Sequence, residues 1–246
     1  MHLEKIEFNG PRKIWHSSGS LLMVAIFFLG RNDWRLGGRQ ICGIDFLVMF
    51  AWLETVLIVA IDVIRYYFPA QRESIRGLPL FGKWLRKHEE ESFNSATYFV
   101  LASAILITAY KFGQCRTAML VAAILVLGLA DPTAAFIRHQ LEKRRVPDHK
   151  VYGLLAFALV AGLIIALINS FDPALDGQGI LAMAIITALV ETYTPPLVVM
   201  LRPLTSRLRR AFSIRPTELF FKLYLDDNIT IPLLVWVLSR WFAATD

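Results

Sequence analysis

The run from Thr117 to Ile137 is almost purely apolar apart from Asp131. A helix needs about 20 apolar residues to cross the hydrocarbon core of a bilayer, and this run has that length. Lipid offers backbone N–H and C=O groups no partners, so such a run must be helical, because a helix satisfies them internally. A carboxylate at that depth costs roughly 2.5–3.5 kcal/mol on insertion scales and marks a functional position by default.

Six further apolar runs accompany it. The candidate spans are 14–30, 41–64, 96–112, 117–137, 151–168, 180–201 and 229–242. The first and last are short, and the last draws on residues from about Leu223. With 56% hydrophobic residues, the expected fold class is an all-α, polytopic membrane protein of about seven transmembrane helices. No long linker, low-complexity stretch or internal repeat divides it, so residues 1–246 read as a single integral membrane domain. The first run has no small-residue cleavage site after it and reads as a span, not as a removable signal.

Basic residues set the expected orientation. The N-terminus carries three, including Arg12 and Lys13, and the loops after spans two, four and six carry six, five and six. With seven spans, all of these lie on one side, which the positive-inside rule makes cytoplasmic. The N-terminus and main loops are then cytoplasmic and the C-terminus lies opposite. The loop from Asn169 to Gly179 has no Lys or Arg, as an external loop should. The net charge of +6 is accounted for by topology and anionic headgroups, with no nucleic-acid partner. Cys42 and Cys115 form no metal-ligand or disulfide pattern and read as packing residues.

Polar residues collect toward the expected cytoplasmic face. Arg12, Lys13 and His16 lead into span one, and Asp62 and Arg65 close span two. Arg86 and Glu89 precede span three. Asp131 and Lys150 flank the loop between spans four and five, and Asp226, Asp227 and Asn228 start span seven. Glu191 lies within span six, just before Pro195 and Pro196, which should kink or break that helix. Carboxylates and an amide oxygen suit Mg²⁺, while Arg and Lys suit phosphate oxygens. This set fits phosphoryl chemistry, which depends on positioning and charge neutralisation. Simpler roles compete: Asp226 is well placed to cap a helix, and Asp62 and Arg65, spaced i, i+3, can pair with each other. Asp45 and Glu54 are further acids inside span two, open to structural pairing or to function.

Taken in chain order, these pieces resemble the dolichol kinase, phytol kinase and CTP-dependent diacylglycerol kinase family of membrane lipid kinases. Some of its bacterial relatives are labelled phosphatidate cytidylyltransferase-like. The stretches that carry the resemblance begin with Arg12-Lys13-Ile14-Trp15-His16, Asp62-Val63-Ile64-Arg65 and Arg86-Lys87-His88-Glu89 with Asn94 to Phe99. They continue with Ala130-Asp131-Pro132-Thr133-Ala134-Ala135, Lys150 with Gly153, Glu191, and Asp227-Asn228-Ile229-Thr230-Ile231-Pro232. The resemblance implies that Asp131, Asp227 and Asn228 serve the metal and nucleotide phosphates and that Lys150 neutralises phosphate charge. Asp131, Glu191, Lys150 and His16 are the expected catalytic group. Arg12, Lys13, Arg86, Glu89 and Asn228 are the expected cofactor-binding group. The implied cofactor is Mg²⁺, with CTP or ATP as co-substrate, and the implied partner is a membrane lipid alcohol.

The chain also departs from that pattern. Two glycines follow the family's aspartate; Arg138 and Glu142 stand at those positions, counted from Asp131. Glycine there lets backbone approach phosphate, so a side chain should close that approach. The family's Lys-x-x-Glu-Gly is shortened to Lys150-Val151-Tyr152-Gly153. The expected activity is a lipid-alcohol kinase acting on polyprenol, phytol or diacylglycerol. The alternatives are a cytidylyltransferase-like enzyme making a CDP-activated lipid, and a catalytically silent relative that binds or moves a lipid. The sequence leaves the oligomeric state open.

Overall fold

The structure, a computed structural model, describes residues 10–36, 38–68, 94–193 and 226–243. The described chain is a bundle of α-helices. We number them α1 (Gly10–Gly30), α2 (Gly43–Tyr67), α3 (Ser95–Lys111), α4 (Thr117–Lys143), α5 (His149–Asn169), α6 (Gly177–Tyr193) and α7 (Asp227–Phe242). Among the described residues, α2, α4, α5 and the stretch Lys13–Gly30 of α1 are long and apolar enough to cross a membrane. Helices α3 and α6 are shorter apolar helices. Among the described residues the strands form one small antiparallel ribbon, between α1 and α2. It pairs β1 (Trp34–Leu36) with β2 (Arg39–Ile41) around a turn with Gly38 at φ 79°. Ile41, expected inside span two, is therefore a strand residue.

Outward-facing residues show what this bundle is built to sit in. On α5, Leu155, Leu159, Leu163 and Leu167 are each more than half exposed, at a spacing of four that keeps them on one face. Helix α2 likewise presents Met49, Leu53, Val56 and Leu57. A water-soluble protein does not leave apolar stripes of this length uncovered. The surface is one made for lipid.

The inward faces follow helical periodicity. Helix α1 buries His16, Ser20, Met23, Phe27 and Gly30, at alternating steps of four and three. Helix α4 lies at the centre. From Ala118 to Ile124 it is buried on every side, and it packs against α1, α3, α5 and α7. The core around it contains Phe27, Leu106, Leu120, Leu127, Phe157 and Ile231, all fully enclosed.

Several contacts fix the order of the helix ends. At one end the α2 terminus is tied to the start of α3. Asp62 pairs with Arg65 at 2.8 Å and accepts hydrogen bonds from the Asn94 backbone N–H at 2.7 Å and the Thr97 hydroxyl at 2.5 Å. At the other end Lys111, closing α3, pairs with Asp45, opening α2, at 2.6 Å. The Asp45 side chain is more than half exposed there, in the first turn of α2. Glu54 remains half-buried in the middle of α2. Near the Lys111 end, Trp236 of α7 donates to the Gln114 carbonyl at 2.9 Å, and Arg116 donates to the Pro173 carbonyl at 3.2 Å. Asn169 ties the α5–α6 turn by accepting from the Ala174 and Leu175 N–H groups. The helices therefore alternate in direction, and the end holding the α1 N-terminus also holds the ends of α2, α4 and α6 and the starts of α3, α5 and α7.

Candidate functional site

The ladder of α4 changes just before its acid. Residues Val126–Ala130 form a π-helical turn between α-helical segments Thr117–Leu125 and Asp131–Lys143. Pro132 supplies a reason. It has no N–H for the carbonyl four residues back, that of Gly128, so the regular pattern fails there. Wide turns of this kind recur at functional sites. Gly128, in this turn, has no room for a Cβ, because the Ser20 side chain of α1 occupies that space. The close approach brings the polar start of α1 against Asp131.

Lys13 completes that approach, with its ammonium 2.7 Å from Asp131 Oδ2. His16, one turn along α1, is buried edge-on against Phe99, with ring centres 5.8 Å apart, and lies within electrostatic reach of Asp131. Asp131 and Lys13 are both largely enclosed. A buried pair of this kind does little for net stability, but loss of either partner strands a charge.

Arg138 lies two turns beyond Asp131 on the same helix, toward the bundle end. Its guanidinium grips Glu191 of α6 with two hydrogen bonds, of 3.1 and 2.5 Å. Thr192 donates to the same Glu191 oxygen that takes the longer bond, at 3.1 Å. The stem of Arg138 lies directly on Gly153 of α5, where any Cβ would collide with it. The glycine of α5 makes room for the arginine of α4. Sequence reasoning recorded Arg138 only as a departure; its place in the site as the partner of Glu191 was missed. A carboxylate inside span six without a nearby cation in sequence was the available signal.

Asp226 and Asp227 have different surroundings. Asp226 caps α7, accepting from the Asn228 backbone N–H at 2.9 Å and from its side-chain amide at 2.5 Å. Asp227 is half-buried and forms no ion pair among the described residues. Its carboxylate lies within reach of the charges of Asp226, Asp131, Glu191 and Lys13, and Arg138 in turn feels Asp227 and Asp131. The structure thus brings Lys13, His16, Asp131, Arg138, Glu191 and Asp227 into one cluster, with Asn228 buried at its edge.

Other expected site residues stand apart. Lys150 is exposed at the start of α5 and forms no ion pair among the described residues. The Arg12 side chain, Arg86, Glu89, Pro195 and Pro196 lie outside the described residues. Asp62 and Arg65 take part in the α2–α3 tie.

Among the described residues, Asp131 pairs with Lys13 and Glu191 with Arg138, and Asp227 lies within electrostatic reach of both acids. Among the described residues, no three His, Cys, Asp or Glu side chains stand close enough to hold a metal as a set. The donor set does not form an all-protein cage. It does fit Mg²⁺ arriving with a phosphate, because Mg²⁺ keeps its waters and takes one or two carboxylates along with phosphate oxygens. Comparison with protein-family models, with curated proteins and with solved structures returned no match.

Proposed function

We propose that this protein is an integral membrane enzyme of seven spans that transfers a phosphoryl group from CTP or ATP to a lipid alcohol at the cytoplasmic face. The observation that carries the reading is the Asp227 carboxylate, which forms no ion pair among the described residues, within electrostatic reach of Asp131, Glu191 and Lys13, with Arg138 in turn within reach of Asp227. Acids for a metal and cations for phosphate oxygens thus occur within one cluster at one end of a lipid-facing bundle. The cytoplasmic assignment draws on the basic segments after α2, α4 and α6, which leave from that same end.

Each residue has a task in this reading. Lys13 and Arg138 move from their acid partners to phosphate oxygens, Lys13 as a point charge and Arg138 through its planar fork. Asp227, with Asn228 and Asp131, would hold Mg²⁺, which supplies charge neutralisation at the transferring phosphoryl group. Asp131 and His16 are the bases available to the proton of the lipid hydroxyl. Lys150, exposed at the rim, meets the outer phosphates.

Product analysis tests the reaction type. A kinase yields a lipid monophosphate and a nucleoside diphosphate, whereas a cytidylyltransferase yields a CDP-lipid and pyrophosphate. Pyrophosphate release would overturn the kinase reading. A second reading has its own observation: Arg138, at a position where the resembled family has glycine, fills the space over Gly153 and is held by Glu191. That arrangement favours a relative that binds a lipid phosphate without nucleotide-dependent transfer. Absence of transfer from both CTP and ATP would establish it over the first.

A further inference from the structure

Glu54 is an acid that the cluster leaves unexplained. It stands near the middle of α2, about 16–20 Å from either helix end at a rise of 1.5 Å per residue, and so near the mid-depth of a bilayer. Asp131 and Glu191 each have a cation. The Glu54 carboxyl is half-buried, and no charge or hydrogen bond of the described residues acts on it. Trp52, about 200° round the helix, donates to the Thr108 hydroxyl of α3 at 3.0 Å, so Glu54 lies on the side away from α3. Phe50, Leu57 and Ile64, all exposed, and half-buried Ile61 share its face. With Glu54 they recur at alternating steps of four and three, the spacing of a seam between two packed helices. The outward stripe of α5 is leucine alone, and lipid tails satisfy leucine as well as protein does.

From this seam we infer that the protein pairs with a second copy of itself along α2, with Glu54 of one copy against Glu54 of the other. Two copies in one membrane share one orientation, so a two-fold axis relating them runs along the membrane normal. Residues at equal depth then meet, and a side chain on the axis meets itself. A lysine or arginine there would repel its copy, and a leucine would gain nothing over lipid. A neutral carboxyl carries one O–H donor and a free acceptor, so two of them satisfy each other with a pair of hydrogen bonds. A carboxyl left to hydrocarbon is unfavourable, and this pairing relieves both copies at once. Phe50, Leu57 and Ile61, one turn to either side and beyond, close the seam around it. A single polar residue in an apolar seam also fixes register, because a slipped pairing leaves both acids unmatched. The seam leaves the Lys13–Asp131 and Arg138–Glu191 pairs untouched, so the inference stands apart from the proposed chemistry.

The test uses the full chain in phosphatidylcholine vesicles, labelled at the N-terminus with donor or acceptor dye, and follows energy transfer between copies as the protein is diluted in lipid. Wild type should pair, and pairing should be lost on dilution with a defined midpoint. Glu54→Leu should move that midpoint about tenfold toward higher protein density, the scale of a hydrogen bond between helices in lipid. Glu54→Gln, which keeps a donor and an acceptor, should stay within about threefold of wild type. Thermal unfolding checks the fold of each variant. The surface is tested separately, in a Cys42→Ser background. There Leu57→Cys should form a disulfide-linked pair on oxidation, and Leu159→Cys, on the α5 stripe, should not. If Glu54→Leu does not fold, Glu54→Gln and the cross-link decide. Wild type that stays monomeric at every density would overturn the proposal and leave the carboxyl to a different occupant. A midpoint that Glu54→Leu does not move, equal losses in Glu54→Leu and Glu54→Gln, or cross-linking at 159 in place of 57 would overturn it as well.

Discussion

Lys13 and Asp131 are 118 residues apart in the chain and 2.7 Å apart in the fold. The pair joins the first helix to the central one at the point where the π-helical turn ends. Lys13→Met should leave the Asp131 carboxylate uncompensated and destabilise the protein by about 3–5 kcal/mol. Lys13→Met combined with Asp131→Leu should recover most of that loss, because no charge is then stranded. Denaturant unfolding in detergent measures both. Additive losses in the double variant would show that the two side chains are not coupled.

The contact between Gly128 and Ser20 sets how closely α1 approaches that turn. Gly128→Ala should push the helices apart and cost about 1–3 kcal/mol, the range for overpacking a filled interior. Adding Ser20→Gly should return part of it. A Gly128→Ala protein as stable as wild type would mean that the helices are not in contact there.

Pro132 has a separate consequence. Pro132→Ala restores the missing donor and should let the π-helical turn relax to regular α-helix. Residues before and after it would rotate relative to each other by about 100° per residue removed from the wide turn. A cysteine pair placed at positions 13 and 131 should then cross-link efficiently with Pro132 present and poorly with Ala. Equal cross-linking would separate the turn from the placement of Asp131.

Cys115 lies in the turn between α3 and α4, where burial pushes its thiol up to about 12, with the Arg240 charge opposing. The thiolate is the reactive form, so Cys115 should resist maleimide at pH 8 in the folded protein while exposed Cys42 reacts. Its folded value is raised, so the fold favours the neutral thiol. The associated stability is present below the ordinary thiol range and declines as the pH rises through that range toward 12. Fast labelling of both cysteines at pH 8, followed by peptide mapping, would contradict this burial.

Asp226 and Asp227 separate capping from chemistry. Asp226→Asn should be nearly silent for stability because Asn caps as well as Asp, and Asp226→Ala should cost about 1 kcal/mol. Thermal unfolding checks this. A large loss in Asp226→Asn would point to a role for its charge beyond the cap.

Much of the bundle is written in the chain. The runs at 14–30, 96–112, 117–137, 151–168 and 229–242 each lie within a residue or so of observed helices or inside them, because lipid leaves a long apolar run no alternative to helix. The part of span six up to Tyr193 is helical as well, and its remainder lies outside the described residues. Costly acids pointed to this end of the bundle: Asp131 pairs with Lys13, Glu191 with Arg138, and Asp227 lies within electrostatic reach of both acids. Their partners were less legible. Lys13 was expected at the site as a cofactor-binding cation and not as the partner of Asp131, and Arg138 looked like a damaged glycine site, because an ion pair between distant helices leaves no local pattern in sequence. For Asp45, left open between pairing and function, the structure shows the pairing: it stands in the first turn of α2, facing Lys111 at the end of α3.

The most direct test of the central claim is transfer of label from γ-labelled CTP and ATP to lipid alcohols in nanodiscs containing the purified protein and Mg²⁺. Phytol, a polyprenol and diacylglycerol are offered side by side, to wild type and to Asp227→Asn. Wild type should place label in one lipid monophosphate, and Asp227→Asn, with its fold and cap intact, should lower the rate by about two orders of magnitude or more by removing the charge that serves the metal. Wild-type protein that labels none of the alcohols from either nucleotide, or an Asp227→Asn protein as active as wild type, would contradict the account.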